Sequence, residues 1–291
     1  MIFKGIATAL ITPFKNGKVD VEAFQKILDY QYDNGVDAVV VLGTTGEPAT
    51  MSQEEKDLVI TLAVKRLKGK IPIIVGAGSN CTESAIRACK NAEKLGADGL
   101  LVVTPYYNKC TQEGLVAHYG EIAKSTSIPI ICYNVPSRTG VNMLPQTFAK
   151  LASEYDNIVA VKEASGNMEQ IEQYLRLVRG KAHVYSGDDA LTVPITAMGG
   201  SGVISVASNV FPAYFAKTTH LALDRDIKKA SKMQLDALPL ISALFCEVNP
   251  IPVKKAMEIR GCCEGELRLP LTDMTDENAK KLQNILKCFP L

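Results

Sequence analysis

Short apolar runs, rich in β-branched residues, recur at residues 6–11, 38–42, 71–75, 99–103, 128–133, 158–161, 183–185 and 203–206. Each is bounded by Gly, Pro, Thr or Asn, and none alternates strictly with polar residues. Continuous runs of this length suit strands buried on both faces of a parallel sheet. Amphipathic helical stripes fill the gaps. Val21, Phe24, Ile27 and Leu28 follow an N-capping Asp20, and Leu58, Val59, Leu62 and Ala63 follow Ser52-Gln53-Glu54-Glu55, which has capping-box spacing. Leu144, Phe148 and Leu151 make a third stripe, and Ile171, Leu175 and Val178 a fourth.

Strand and helix alternating at this repeat predict right-handed βαβ units. Eight of them in roughly 225 residues match an α/β fold of the (β/α)8 (TIM) barrel type. A doubly wound open sheet is the alternative, but no G-x-G-x-x-G follows the first run. Past Asp224 the strand pattern stops, and 227–248, 251–260 and 275–287 read as helices. The expected organisation is a catalytic barrel over 1–224 with a helical extension, 225–291, packed on it. That extension is too short and too apolar on one face to stand alone.

Composition narrows the possible partners. Among 291 residues, 32 Lys+Arg against 31 Asp+Glu leave a net charge of +1, which removes the electrostatic footprint of a nucleic-acid binder. The uncharged stretch 190–216 is long enough to span a bilayer, but Pro194, Gly199, Gly200, Gly202, Asn209 and Pro212 interrupt it. A buried strand with flanking loops is expected there, and no membrane partner. The first residues read as a strand rather than a signal peptide. Eight cysteines are scattered without a C-x-x-C pair, so reduced, mostly buried thiols in a soluble cytoplasmic protein are expected.

Catalytic groups of such barrels sit at the C-terminal ends of the strands. Lys162 follows the run 158–161 directly. An ammonium there is partly desolvated, which lowers its pKa and frees a nucleophilic amine. Such an amine forms a Schiff base with a ketone or aldehyde and needs no metal or cofactor. A salt bridge to Glu163, or a snorkelling strand-end lysine, is the other reading. Tyr133, one strand away, could relay protons or simply cap the core. Thr44 and Thr45 between Gly43 and Gly46 could cradle a small carboxylate or merely turn the chain. Arg138 could clamp a second carboxylate in bidentate fashion or lie solvated in its loop. Asp188 and Asp189 lack further carboxylates at ligand spacing and read as an N-cap rather than a metal site.

Gly43-Thr44-Thr45-Gly46-Glu47, Tyr133-Asn134-Val135-Pro136-Ser137-Arg138-Thr139-Gly140 and Val161-Lys162-Glu163-Ala164-Ser165-Gly166 together resemble the signatures of the dihydrodipicolinate synthase / N-acetylneuraminate lyase family. The resemblance runs over essentially the whole chain and is nearer the synthase branch. It implies Schiff-base aldol chemistry in which Lys162 condenses with pyruvate and the enamine attacks aspartate semialdehyde, at the entry to diaminopimelate and lysine. It further implies that Tyr133 transfers protons while hydrogen-bonded to Thr45, that Thr44 supports this relay, and that Tyr107 completes it from a neighbouring subunit. Thr45 would also hold the pyruvate carboxylate, Gly187 and the Ile204 backbone would line the pocket, and Arg138 would receive the semialdehyde carboxylate.

By the same resemblance the chain forms at least a dimer, and a tetramer built as a dimer of dimers. The runner-up is a pyruvate-dependent lyase or aldolase acting on 2-keto-3-deoxy sugar acids; a catalytically silent family member is opposed by the intact Lys162, Tyr133 and Thr45. Lysine-inhibited members use histidines and a glutamate in an allosteric cleft, where this chain has Gln53, Lys56 and Ser84, with Pro48 opening the loop and Asn80 and Tyr106 retained. Losing a carboxylate and gaining a cation predicts weak or absent feedback by lysine.

Overall fold

In the computed structural model, which describes residues 1–289, eight parallel strands close into a barrel. They are β1 (Gly5–Ala9), β2 (Ala38–Val41), β3 (Ile73–Gly76), β4 (Gly99–Val103), β5 (Ile130–Asn134), β6 (Ile158–Glu163), β7 (His183–Ser186) and β8 (Gly202–Ser205). Each pairs with its sequence neighbours, and β8 closes on β1. The strands at 71–75 and 128–133 begin two residues later than their apolar runs suggest. Pro72 and Pro129 have no N–H to give a ladder, so they mark the strand entrances instead.

The apolar runs are continuous because both strand faces are covered. Ala7, Ala9, Ala38, Val40, Ile74, Leu101, Ile131, Ala160, Tyr185 and Ile204 fill the barrel interior. The intervening Ile6, Val39, Val41, Ile73, Val75, Leu100, Val102, Ile130, Cys132, Val161, Val184 and Val203 pack outward under the helices. Closure at β1 and β8 depends on glycine. Gly202 has φ +131°, and a Cβ built on it would lie 1.7 Å from the carbonyl oxygen of Gly5.

The covering helices are α1 (Val21–Asp33), α2 (Gln53–Leu67), α3 (Thr82–Lys94), α4 (Gln112–Ser125), α5 (Pro145–Glu154), α6 (Met168–Leu177), α7 (Thr192–Ala197) and α8 (Pro212–Leu223). Asp20 caps α1 by accepting from Ala23 N at 3.0 Å, and Ser52 with Glu55 forms a complete capping box on α2. Leu144 is not part of the third stripe: it is the N-cap of α5 and exposed, while Phe148 and Leu151 are buried.

The tail forms α9 (Ile227–Leu244), α10 (Ile251–Ile259) and α11 (Asp276–Cys288), with α9 against α7 and α8 and α11 against α9 and α10. Its apolar residues, among them Leu240, Leu244, Val253, Met257 and Leu282, belong to the same core as the outer faces of the strands. The stretch 190–216 holds β8 flanked by α7 and the start of α8, and no helix among the described residues is long and apolar enough to cross a membrane. All eight cysteines are free, but only Cys89 and Cys132 are buried, against the expectation of mostly buried thiols. The exposed Cys81, Cys246 and Cys288 lie at or just past helix ends, away from the packed faces.

Candidate active site at the barrel mouth

At the C-terminal ends of β5, β6 and β7 the ladder sets Tyr133, Lys162 and Tyr185 side by side. Lys162 lies two residues beyond the inward-facing Ala160, so the strand alternation turns it into the barrel, where it is 5% exposed. Its Nζ stands 4.4 Å from the centroid of the Tyr133 ring. Burial drives the ammonium pKa down to about 8; the negative charge of Asp189 opposes this and Arg138 adds to it. Lys162 makes no ion pair among the described residues. Glu163 points the other way, accepting from Asn134 Nδ2 at 2.8 Å and from Ser165 N at 2.7 Å. The salt-bridge reading of Lys162 with Glu163 is thereby excluded.

Gly187 makes room for this lysine. A Cβ there would meet Ala164 Cβ at 2.6 Å and Lys162 Cε at 3.1 Å. Ile204 is buried in the inner cluster on β8. Asp188, not Asp189, is the capping residue of the pair, accepting from Ala190 N at 2.9 Å. Asp189 is buried and takes the Ser205 hydroxyl together with Val206 N at 2.9 Å and Ala207 N at 3.2 Å. Those donors can reach a carboxylate only because the chain after β8 folds back over it.

The Thr44–Gly46 segment is a single 3-10 turn. Successive side chains of such a turn point about 120° apart, so the two threonines face different surroundings. Thr44 lies beside the Tyr133 phenol and favours its ionised form, while burial, the larger effect, raises the phenol's pKa. Thr45 is buried and instead accepts from Asn249 Nδ2 at 3.0 Å. Among the described residues the expected Thr45–Tyr133 hydrogen bond is not formed. Arg138 sits in a one-turn helix, Pro136–Thr139, is exposed, and donates from Nη2 to the Asn249 carbonyl at 3.0 Å. Thr44, Tyr133, Arg138 and Asn249 all line a cavity of about 940 Å³.

An anchor not anticipated from the sequence holds this turn. Glu47, in left-handed backbone at φ 55°, meets Lys254 Nζ of α10 at 2.5 Å. Lys254 is fully buried, donates also to Glu266 O at 2.6 Å, and stands 4.1 Å over the Phe14 ring. Burial lowers its pKa while Glu47 works against that. The sequence did contain a signal: Lys254 shares a helix face with Ile251 and Met257, both buried, and a charge on an apolar face requires a buried partner.

Tyr107 is not brought to Lys162 within the chain. It is 90% exposed with φ 70°, whereas Tyr106 lines the cavity. The same cavity extends past Pro48, Gln53, Lys56, Ser84 and Arg87. The Asn80 carbonyl, nearby, accepts from Asn108 Nδ2 at 2.9 Å.

A barrel mouth that holds a buried lysine, with no ion pair among the described residues, against a tyrosine ring has the groups that Schiff-base chemistry requires. The Dihydrodipicolinate synthetase family model matches residues 2–289, and the chain belongs to that family. It is 51% identical over 286 residues to the 4-hydroxy-tetrahydrodipicolinate synthase of Alkaliphilus oremlandii, covering 98% of each chain. A crystal structure of dihydrodipicolinate synthase from Aquifex aeolicus superposes with a TM-score of 0.96 at 48% identity, covering 98% of this chain and 97% of the other. The chloride-inhibited enzyme from Acinetobacter baumannii, crystallised with pyruvate, superposes with a TM-score of 0.96 at 40% identity over 99% and 98%.

Replacing Gly187 by alanine tests the packing around Lys162. The added methyl should cost about 1–3 kcal/mol of stability by overpacking and displace the lysine side chain. Thermal melting and lysine reactivity of Gly187→Ala check this together; a variant unchanged in both contradicts the close fit.

Proposed function

We propose that this chain condenses pyruvate with aspartate 4-semialdehyde to 4-hydroxy-tetrahydrodipicolinate, the first committed step toward diaminopimelate and lysine, as a cytoplasmic lyase. The observation that carries the reading is Lys162, a buried amine with no ion pair and a pKa near 8, against the Tyr133 ring. Its free amine attacks the pyruvate ketone and water leaves, giving an imine. Loss of a methyl proton yields the enamine, whose carbon attacks the semialdehyde aldehyde. The semialdehyde's own amine then closes on the imine carbon and releases Lys162. This sequence needs an amine free near neutrality and a proton carrier beside it, and it calls on no cofactor.

In this reading Tyr133 carries the protons, Thr44 bonds its phenol, and Tyr107 of another copy continues the path. The exposure of Tyr107 in the single chain supports that last assignment. Thr45 binds the pyruvate carboxylate through its hydroxyl and N–H, Gly187 and the Ile204 backbone line the pyruvate pocket, and Arg138 takes the carboxylate of the semialdehyde. The assembly is at least a dimer and, by family resemblance, a tetramer. The barrel, 1–224, carries the chemistry and 225–291 braces it. In the cavity's far arm Gln53, Lys56 and Ser84 offer no carboxylate to a cationic amino acid, which supports weak or absent feedback by lysine.

Borohydride reduction in the presence of pyruvate should fix a three-carbon adduct on Lys162, located by peptide mass spectrometry. The amine attacks only when deprotonated, so trapping should accelerate as pH rises through about 8 and level off above it. An adduct on another lysine overturns the mechanism. Arg138→Ala should weaken use of aspartate semialdehyde by about 10- to 100-fold, the worth of a hydrogen bond to a charged group, and leave pyruvate trapping intact. An equal loss with every aldehyde argues against that role. Added lysine should leave turnover unchanged; half-maximal inhibition below a millimolar contradicts the reading of the cavity arm.

A further inference from the structure

Asn249 lies between α9 and α10, is 7% exposed, and holds two groups of the site at once. Its side-chain Nδ2 donates to Thr45 Oγ1 at 3.0 Å, and its main-chain carbonyl accepts from Arg138 Nη2 at 3.0 Å. Its Oδ1 is buried with no partner. That arrangement leaves a carbonyl oxygen unsatisfied and keeps the amide N–H engaged, the better tolerated of the two shortfalls. Five residues further on, Lys254 grips Glu47, two residues beyond Thr45. The segment entering α10 and the turn after β2 are therefore clasped at two points, and neither can slide past the other.

A threonine hydroxyl has one hydrogen and two lone pairs. With an amide N–H directed into its oxygen, the Thr45 hydrogen must point elsewhere, and accepting that bond makes the hydroxyl a stronger donor. We propose that Asn249 is a positioning residue for pyruvate: its side-chain amide fixes the Thr45 hydroxyl as a donor to the pyruvate carboxylate, and its main-chain carbonyl holds Arg138 for the second substrate. The proposal rests on Thr45 being the carboxylate site. One residue of the tail thus sets the geometry of both substrate contacts, through separable atoms.

That separation makes the test. Asn249→Ala removes the amide and keeps the main-chain carbonyl. The half-saturating pyruvate concentration for borohydride trapping should rise about 10-fold, and KM for aspartate semialdehyde should stay within twofold. In the Thr45→Val background, adding Asn249→Ala should raise the pyruvate requirement no further, since the amide acts through that hydroxyl. Asn249→Ser and the melting temperature of each variant guard against a folding defect. A parallel rise for both substrates, or multiplicative effects in the double variant, overturns the proposal. If Thr45→Val alone lowers pyruvate affinity and Asn249→Ala and Asn249→Ser do not, only the role of Asn249 falls. If Thr45→Val binds pyruvate normally, the Thr45 assignment fails and takes this proposal with it, while an adduct on Lys162 leaves the Schiff-base reading standing.

Discussion

An ammonium taken out of water must find a counter-charge or give up its proton, and among the described residues Lys162 has no ion pair. The rest of the site accommodates that constraint. The strand alternation that buries Ala160 inside the barrel buries Lys162 with it. Gly187 leaves the space its methylenes occupy, and the Tyr133 ring face lies against its amine. Asp189 is the carboxylate whose charge opposes the loss of that proton, yet its oxygens are committed to Ser205 and the amides after β8. Its charge therefore reaches Lys162 as a field rather than as a contact, and the amine stays within reach of neutrality.

The second buried lysine obeys the opposite rule. Lys254 is also removed from water, but it has Glu47, a carbonyl and an aromatic face around it. Removing one member of such a pair leaves an uncompensated buried charge, typically costing about 3–5 kcal/mol. One barrel thus contains a lysine kept unpaired and a lysine fully paired. The first suits an amine that reacts, and the second a strut that fixes the Thr44–Gly46 turn. Identical side chains diverge here only through the neighbours that the fold supplies.

Much of this was legible in the sequence, for physical reasons. Strands covered on both faces leave continuous apolar runs, so all eight could be read, with ends displaced by one or two residues, as where Pro72 and Pro129 set the entrance and where the first strand stops at Ala9. Lys162 was legible because a cation ending such a run is conspicuous. The family motifs named Tyr133, Thr44, Thr45 and Arg138 together, and in the structure Tyr133, Thr44 and Arg138 line one cavity while Thr45 is bonded to Asn249 of the same lining. What escaped were pairings across the chain. Asn249 with Thr45 and Lys254 with Glu47 leave no periodic trace, and which threonine meets Tyr133 depends on a turn too tight to be read from residue types. Asp189 read as an N-cap because its partners come from the end of the next strand and the residues after it.

The clasp between Thr45 and Asn249 joins residues 204 positions apart in the chain. During synthesis Lys162, Tyr133 and most of the barrel leave the ribosome well before Asn249, whose amide braces the turn after β2. A nascent barrel therefore carries its Thr44–Gly46 turn without the brace that later holds it. That turn is secured only when translation is nearly finished.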